Sequence, residues 1–158
     1  MKIYVSASIR GGRYNKKNVL KIVNRCKLHG NVLDEHVGDQ KMKMYGVTGT
    51  SNREQYERDS DWLNSADVMV TDVTVASLGV GREIEMAKSL HIKNLILCKT
   101  LPKYKRVSAM VSGDPDLEIF YYRDDKERDN IIDSFFVGLK SVYSSSWTDT
   151  WTGKRIYD

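Results

Sequence analysis

The sequence predicts a single α/β domain in which helices flank a parallel sheet of five strands. Short apolar runs alternate along the chain with longer segments of helical periodicity. The third run, residues 67–72, is almost continuously apolar, as central parallel strands are. Strands joined in this way require right-handed crossovers, which place helices on both faces of the sheet.

The elements follow one another in a regular order. Strands are predicted at residues 3–7, 31–33, 67–72, 95–98 and 117–121, and helices at residues 15–29, 53–66, 82–90 and 124–140. Gly30 follows the first helix, where a C-terminal glycine is expected. Residues 38–51 contain three glycines and are interpreted as a long loop that could close over a ligand. Residues 1–140 are assigned to the domain, and residues 141–158, with Trp147 and Trp151, to a tail of unassigned role.

Composition excludes several classes of protein. Hydrophobic residues make up 41% of the chain and charged residues 29%, as in globular proteins. The apolar runs are far shorter than the roughly 20 residues of a membrane-spanning helix, so no membrane partner is expected. A net charge of +4 without a long basic run argues against binding of a nucleic acid polymer. Cysteine and histidine lack metal-ligand spacing, so neither a metal nor a cofactor is predicted.

The two cysteines and the N-terminal residues indicate the compartment. Cys26 lies in a helical pattern and Cys98 in a strand pattern, which favours core thiols over a disulfide. The first residues form a strand pattern without the apolar core of a signal peptide. We therefore expect the protein in the cytoplasm, or in the nucleus.

Ligands of open parallel sheets bind beyond the carboxyl ends of the strands, so the residues after each strand are the candidates for a site. After the third strand, residues 77–83 read Ser-Leu-Gly-Val-Gly-Arg-Glu. Glycines before a helix let backbone N–H groups approach a phosphate, although a plain turn has the same pattern. Glu83, expected in the first turn of that helix, is either catalytic or merely complements the helix dipole.

Other polar residues are candidates for the same site. Asp59 shares a helix face with apolar residues, so it either pairs with a nearby arginine or faces the crevice. Asp61 falls off that face, and Asp67 starts a strand at the wrong end of the sheet. Arg10 ends the first strand and suits a phosphate, since a guanidinium makes two parallel hydrogen bonds. His36 follows the second strand and either contacts a base or sugar or is a loop residue.

Six segments, taken in order, resemble the 2′-deoxynucleoside 5′-phosphate N-hydrolases, within the nucleoside 2-deoxyribosyltransferase superfamily. They are residues 3–13, 34–37, 57–63, 66–68, 77–83 and 106–110. The resemblance implies the superfamily's Rossmann-like five-stranded sheet and a homodimer. Ala7 stands where the family usually has glycine.

The resemblance also implies roles for individual residues. Glu83 corresponds to the nucleophilic carboxylate, Asp59 to a second catalytic carboxylate, and Tyr4 to a tyrosine that holds the sugar and orients the nucleophile. Ser108 corresponds to a phosphate contact that reaches across from the partner subunit. The full set of substrate-binding candidates is Ser8, Ile9, Arg10, Gly11, His36, Ser77, Gly79 and Ser108.

The implied activity is hydrolysis of the N-glycosidic bond of (2′-deoxy)nucleoside 5′-monophosphates through a carboxylate nucleophile. By analogy with retaining glycosidases, the two carboxyl groups should lie about 5 Å apart. Three alternatives remain open at this point: a hydrolase of pyrimidine ribonucleotides, a base-exchanging deoxyribosyltransferase, and a nucleotide sensor without catalysis.

Overall fold

The computed structural model describes residues 1–8, 15–33, 51–100 and 107–144, and the statements below concern these residues. The strands are β1 (Lys2–Ala7), β2 (Asn31–Val32), β3 (Val68–Asp72), β4 (Lys93–Lys99) and β5 (Ile119–Tyr122). The helices are α1 (Lys16–Cys26), α2 (Asn52–Ser65), α3 (Leu78–Ser89), α4 (Ala109–Ser112) and α5 (Asp125–Ser144).

The five strands form one sheet in the order β2-β1-β3-β4-β5, and every pairing is parallel. The predicted fold class is therefore confirmed. Strands β1 and β3 lie side by side, in register from Ile3 opposite Val68 to Ala7 opposite Asp72. The order of connection reverses between these two strands, which is where a crevice opens in doubly wound sheets.

Each face of the sheet is covered by its own pair of helices. Alternate side chains of the strands, such as Val5 and Val70, pack with α1 and α5 in the larger apolar cluster. Tyr4 and Met69 face the other way and pack with α2 and α3. Burial of each large side chain stabilises the fold by about 1.5–3 kcal/mol. Ala7 belongs to the α1/α5 cluster, so its methyl group points away from the face that carries Tyr4.

Helix α2 begins at Asn52 because Ser51 and Glu54 form a capping box. The Ser51 hydroxyl accepts a hydrogen bond from the Glu54 N–H at 3.2 Å, and the Glu54 carboxylate accepts one from the Ser51 N–H at 2.6 Å. These bonds satisfy two N–H groups that have no partner within the helix. The predicted start at residue 53 is thus one residue late.

The glycines at 79 and 81 do not form the predicted turn. Helix α3 begins at Leu78 rather than residue 82, with Ser77 as its N-cap, so both glycines are helical. Glu83 therefore lies in the second turn rather than the first. Ser77 outweighs the low helix propensity of glycine, because its side chain accepts a hydrogen bond from the Val80 N–H.

Other boundaries differ from the predictions by a few residues. Helix α1 ends at Cys26, and turns follow it as far as Gly30. A Cβ at Gly30 would lie 2.5 Å from the Met1 carbonyl oxygen, so glycine is needed for this close approach and not as a helix stop. Helix α5 continues to Ser144, and the short helix α4 was not predicted.

Both cysteines are buried and free, in agreement with the prediction of core thiols. Burial raises the pKa of Cys26 to about 12 and that of Cys98 to about 11, so both are thiols at neutral pH. Within the described ranges, no helix is long and apolar enough to cross a membrane.

Candidate active site

The Glu83 side chain extends from α3 to residues of β1. Its carboxylate accepts a hydrogen bond from the Tyr4 hydroxyl at 3.2 Å, and its second oxygen accepts one from the Ser6 hydroxyl. Tyr4 and Ser6 are two residues apart on a strand, so both side chains face α3. Tyr4 is 2% exposed, which fixes the ring and thereby the position of the carboxylate.

The pKa of Glu83 is raised above that of an ordinary glutamate. Burial is the main cause, because a carboxylate withdrawn from water loses its solvation. The hydrogen bonds from Ser6 and Tyr4 lower the pKa and offset part of this effect, and the negative charge of Asp59 raises it further. Glu83 is therefore a weakly solvated carboxylate held by two hydroxyl groups, which is suited to attack an electron-poor carbon.

Asp59 lies on α2 and is partnered by the preceding residue. The Arg58 guanidinium donates two hydrogen bonds, of 3.0 Å and 2.9 Å, to the same Asp59 oxygen, Oδ1. Arg58 also lies 4.8 Å from the centroid of the Trp62 ring, which holds the guanidinium in place. The pairing with an arginine, one of the two interpretations left open above, is therefore observed, and it leaves the other interpretation as a prediction. The negative charge of Asp59 also raises the pKa of Glu83, so the two carboxylates are electrostatically coupled.

Ser77 and Gly79 lie at the amino end of α3, one to two turns before Glu83. The Ser77 hydroxyl accepts a hydrogen bond from the Val80 N–H at 3.5 Å. A Cβ placed on Gly79 would have only the Ser77 hydroxyl within 4 Å, at 3.7 Å. Packing therefore does not require glycine at this position. In general, a residue without a side chain in the first turn of a helix lets an anion approach the backbone N–H groups there.

Ser108 caps the short helix α4. Its hydroxyl accepts a hydrogen bond from the Met110 N–H at 3.3 Å, and its side chain is exposed. In the described part of the chain, no hydrogen bond joins Ser108 to Glu83 or Asp59.

Several predicted residues lie outside the described part of the chain. These are Ile9, Arg10, Gly11 and His36, together with residues 38–50 of the predicted loop and residues 145–158, which include Trp147 and Trp151. Ser8 is described, at the end of the first range and partly buried.

Two residues that contact the carboxylates, Ser6 and Arg58, were not singled out from the sequence. The signal for Ser6 was the strand alternation, since it is two residues from Tyr4. Arg58 had no comparable signal, because adjacent helical residues point in different directions. The positions predicted for Asp61 and Asp67 are confirmed. Asp61 is exposed, and Asp67 accepts a hydrogen bond from the Lys2 N–H at 2.6 Å, at the amino edge of the sheet.

A cavity of about 440 Å³ lies at the opposite edge of the sheet, and its lining, drawn from the described residues, contains none of the candidates. Ile92, Asn94, Leu117 and Phe135 are among its walls. This cavity is therefore separate from Glu83 and Asp59. Among the described residues, no group of three or more Asp, Glu, His or Cys side chains could hold a metal ion.

Two solved structures share the fold. A CMP N-glycosidase of Clostridium botulinum matches with a TM-score of 0.55 and 16% identity, over 84% of this chain and 99% of that one. A 2-deoxyribosyltransferase of Bacillus psychrosaccharolyticus matches with a TM-score of 0.57 and 17% identity, over 82% and 91%. At this level of identity, the likeness establishes a deoxyribosyltransferase-like fold and nothing finer.

Comparison of sequences is more specific. No family model matches the chain. The 5-hydroxymethyl-dUMP N-hydrolase of Esox lucius is 38% identical over 144 residues, 88% of this chain and 98% of the relative. The human 5-hydroxymethyl-dUMP N-hydrolase is 36% identical over 138 residues, which are 85% of this chain and 78% of the relative. A Nematostella vectensis protein, named for 2′-deoxynucleoside 5′-phosphate N-hydrolase activity, is 37% identical over 142 residues, 87% and 95%. On this similarity, the chain belongs to the family of 2′-deoxynucleoside 5′-phosphate N-hydrolases.

Proposed function

We propose that this protein hydrolyses the N-glycosidic bond of 2′-deoxynucleoside 5′-monophosphates, with Glu83 as the attacking carboxylate. Relatives that match most of the chain are named for this class of reaction. The observation that supports the role of Glu83 is its carboxylate, withdrawn from water and oriented by the hydroxyls of Tyr4 and Ser6.

The chemistry requires a carboxylate near the sugar. Breakage of the C1′–N bond builds positive charge on the sugar ring, which a weakly solvated carboxylate stabilises and can trap covalently. In the first step, a Glu83 oxygen bonds to C1′, and the base leaves with the electron pair of the C1′–N bond. In the second step, water attacks C1′, Glu83 leaves as a carboxylate, and Asp59 accepts the proton of the water and passes it to the base. The products are the free base and deoxyribose 5-phosphate.

The geometry around Asp59 fits this role. Both hydrogen bonds from Arg58 end on Oδ1, and Oδ2 takes no hydrogen bond from the described residues. One oxygen thus anchors the side chain while the other faces a substrate. Arg58 holds the carboxylate in place, because its guanidinium is itself stacked on Trp62.

In this proposal, the phosphate of the substrate binds at the amino end of α3. Its ligands are Ser77, the N–H groups around Gly79, and residues 8–11, which include Arg10. This binding energy is remote from the bond that breaks, so it holds the sugar in the orientation for attack. Nucleosides without a phosphate should accordingly react poorly.

The test is to incubate the protein with a panel of ribo- and deoxyribonucleoside 5′-monophosphates and the matching nucleosides, and to separate the products by chromatography. Free base should be released from deoxynucleoside monophosphates, and an added second base should not be incorporated. Release from ribonucleotides alone would favour a ribonucleotide hydrolase. Incorporation of the added base would favour a transferase, and tight binding without any release would favour a sensor.

The role of Glu83 is tested by a matched pair of variants on α3. Glu83→Gln removes the nucleophile and should release no base while the nucleotide still binds. Glu85→Gln changes an exposed glutamate two residues away and should leave turnover at the wild-type level. Near-wild-type turnover by Glu83→Gln would exclude Glu83 as nucleophile.

The proposal includes a homodimer in which Ser108 completes the site of the partner. Two large apolar side chains next to the candidate phosphate contacts support it. Leu78, beside Ser77, is 97% exposed, and Met110, two residues after Ser108, is 85% exposed. Large apolar side chains that are almost fully exposed beside candidate ligand contacts are consistent with an interaction surface.

A mixing experiment tests the shared site. Glu83→Gln protomers lack the nucleophile but keep Ser108, and Ser108→Ala protomers keep the nucleophile. A hybrid dimer would contain one site with both residues intact, so mixing should restore base release at low nucleotide concentration. If each site used its own Ser108, the mixture would show only the sum of the two separate activities.

A further inference from the structure

The carboxylate of Asp72 is buried at the carboxyl edge of the sheet, on the face that packs against α1 and α5. Asp72, the last residue of β3, is 1% exposed. Its Oδ1 accepts a hydrogen bond from the Thr74 N–H at 2.8 Å, and its Oδ2 accepts hydrogen bonds from the side-chain amides of Asn15 and Asn18, the latter at 3.2 Å. None of the catalytic steps proposed above uses this group.

The same polar network extends to the remaining elements at this edge. The Asn18 amide donates to the Tyr122 hydroxyl at 2.6 Å, and Arg128 donates to the Asn18 Oδ1 at 3.2 Å. Arg128 is 2% exposed and also pairs with Asp125 and Asp129. Arg128 is thus joined to Asp72 only through Asn18 among the hydrogen bonds of the described residues.

Burying such a polar network costs free energy that an apolar core would not. Buried charge costs free energy unless it is paired and hydrogen-bonded, and apolar side chains of the same volume often stabilise a protein better. What the network does specify is position. Asn15 is the N-cap of α1, and Thr74 lies in the connection from β3 to α3. The Thr74 hydroxyl in turn accepts a hydrogen bond from the Lys99 N–H at 2.8 Å, so this connection is also tied to β4.

We propose that Asp72 is a positioning residue for binding of the substrate phosphate, because it joins the start of α1 to the connection that leads to the amino end of α3. The inference rests on the proposed function, in which Ser77 and Gly79, three and five residues beyond Thr74, bind the phosphate. Asp72 lies on the far side of the sheet from Glu83 and does not touch the sugar or the base. Loss of Asp72 should therefore weaken the grip on phosphate and leave contacts to the nucleoside unchanged.

The test is equilibrium binding of dUMP and of deoxyuridine, measured by calorimetry in a Glu83→Gln background so that no turnover occurs. Asp72→Leu has nearly the same shape and removes every acceptor. Asp72→Asn keeps one acceptor oxygen and is the milder change in case the first variant does not fold. Asp133→Asn is the matched control, since it removes one carboxylate oxygen that pairs with Arg25 and His29 on α1 and its following turn, away from the carboxyl edge.

The Asp72 variants should lose at least about tenfold in affinity for dUMP, equivalent to about 1.4 kcal/mol, with little change for deoxyuridine. Equal losses for both ligands, no loss for either, or a similar loss in Asp133→Asn would overturn the inference. So would a parent protein that binds dUMP no more tightly than deoxyuridine. A wild-type protein that binds dUMP by its phosphate but never releases base would contradict the proposed function and leave the role of Asp72 standing.

Discussion

Glu83 and Asp72 are both withdrawn from water beside the carboxyl ends of β1 and β3, but they lie on opposite faces of the sheet. Asp72 is almost fully buried and accepts three hydrogen bonds from a backbone N–H and two amides, with Arg128 nearby. Glu83 is only half-buried and accepts hydrogen bonds from two hydroxyls, with the negative charge of Asp59 nearby.

The pKa of both groups is raised, and in both cases burial is the main cause. A raised pKa therefore does not distinguish Glu83, the proposed nucleophile, from Asp72. The partners do. A backbone N–H and two side-chain amides tie Asp72 to the fold, whereas Glu83 has two hydroxyl donors and is only partly buried. The predictions below are designed to test this difference.

The largest effect is expected at the second carboxylate of the Glu83 face. Asp59→Asn removes the proton carrier and should lower kcat by about 10²–10⁴-fold, as for other general acid–base groups. Asp61→Asn, two residues further along α2 and exposed, should leave kcat unchanged. Steady-state kinetics of the two variants decides the matter, and equal effects would remove Asp59 from the mechanism.

Replacement of Asp72 or of Glu83 by an uncharged side chain should change the stability of the protein in opposite directions. Asp72→Leu removes the acceptor of the buried Thr74 N–H and Asn15 amide and one of the two acceptors of the Asn18 amide, and should lower the free energy of unfolding by about 2–4 kcal/mol. Glu83→Gln should raise stability at neutral pH. The folded-state pKa of Glu83 lies above its unfolded value, so its ionised form disfavours folding, and this penalty disappears as pH falls through the raised pKa.

Denaturant unfolding at neutral and at acidic pH measures both effects. For Glu83→Gln, the gain over the wild-type protein should shrink as pH is lowered. A gain of the same size at every pH, or a loss of stability at neutral pH, would mean that Glu83 is a structural group like Asp72.

The smallest effect concerns the pH dependence of kcat/KM. Because the pKa of Glu83 is raised, the acidic limb of the wild-type profile should lie above the range of an ordinary glutamate. The hydrogen bonds from Ser6 and Tyr4 lower this pKa, the former more strongly, so their loss raises it. Ser6→Ala should shift the limb to higher pH by more than Tyr4→Phe does. A limb that stays in place in both variants would show that it does not report on Glu83.

Much of this picture could be predicted from the sequence. The class of fold follows from the alternation of strand and helix patterns, and the match of residues 77–83 to the family pattern was enough to choose Glu83 and Ser77. The start of α3 could not be predicted, because the glycines at 79 and 81 favour a turn locally, while Ser77 as N-cap and the packing of Val80 and Ile84 favour a helix. Gly30 was correctly noticed, but its reason is a long-range approach to Met1.

The sequence by itself determined the fold class and the chemical types present at the carboxyl edge, because periodicity and short motifs are local properties of the chain. Which carboxylate receives which donors was decided only by the tertiary structure. Ser6 reaches Glu83 across 77 residues of sequence, and Asn15 reaches Asp72 across 57. No local pattern encodes such pairs, since they arise from the side-by-side register of β1 and β3 and from the helices that this register holds in place.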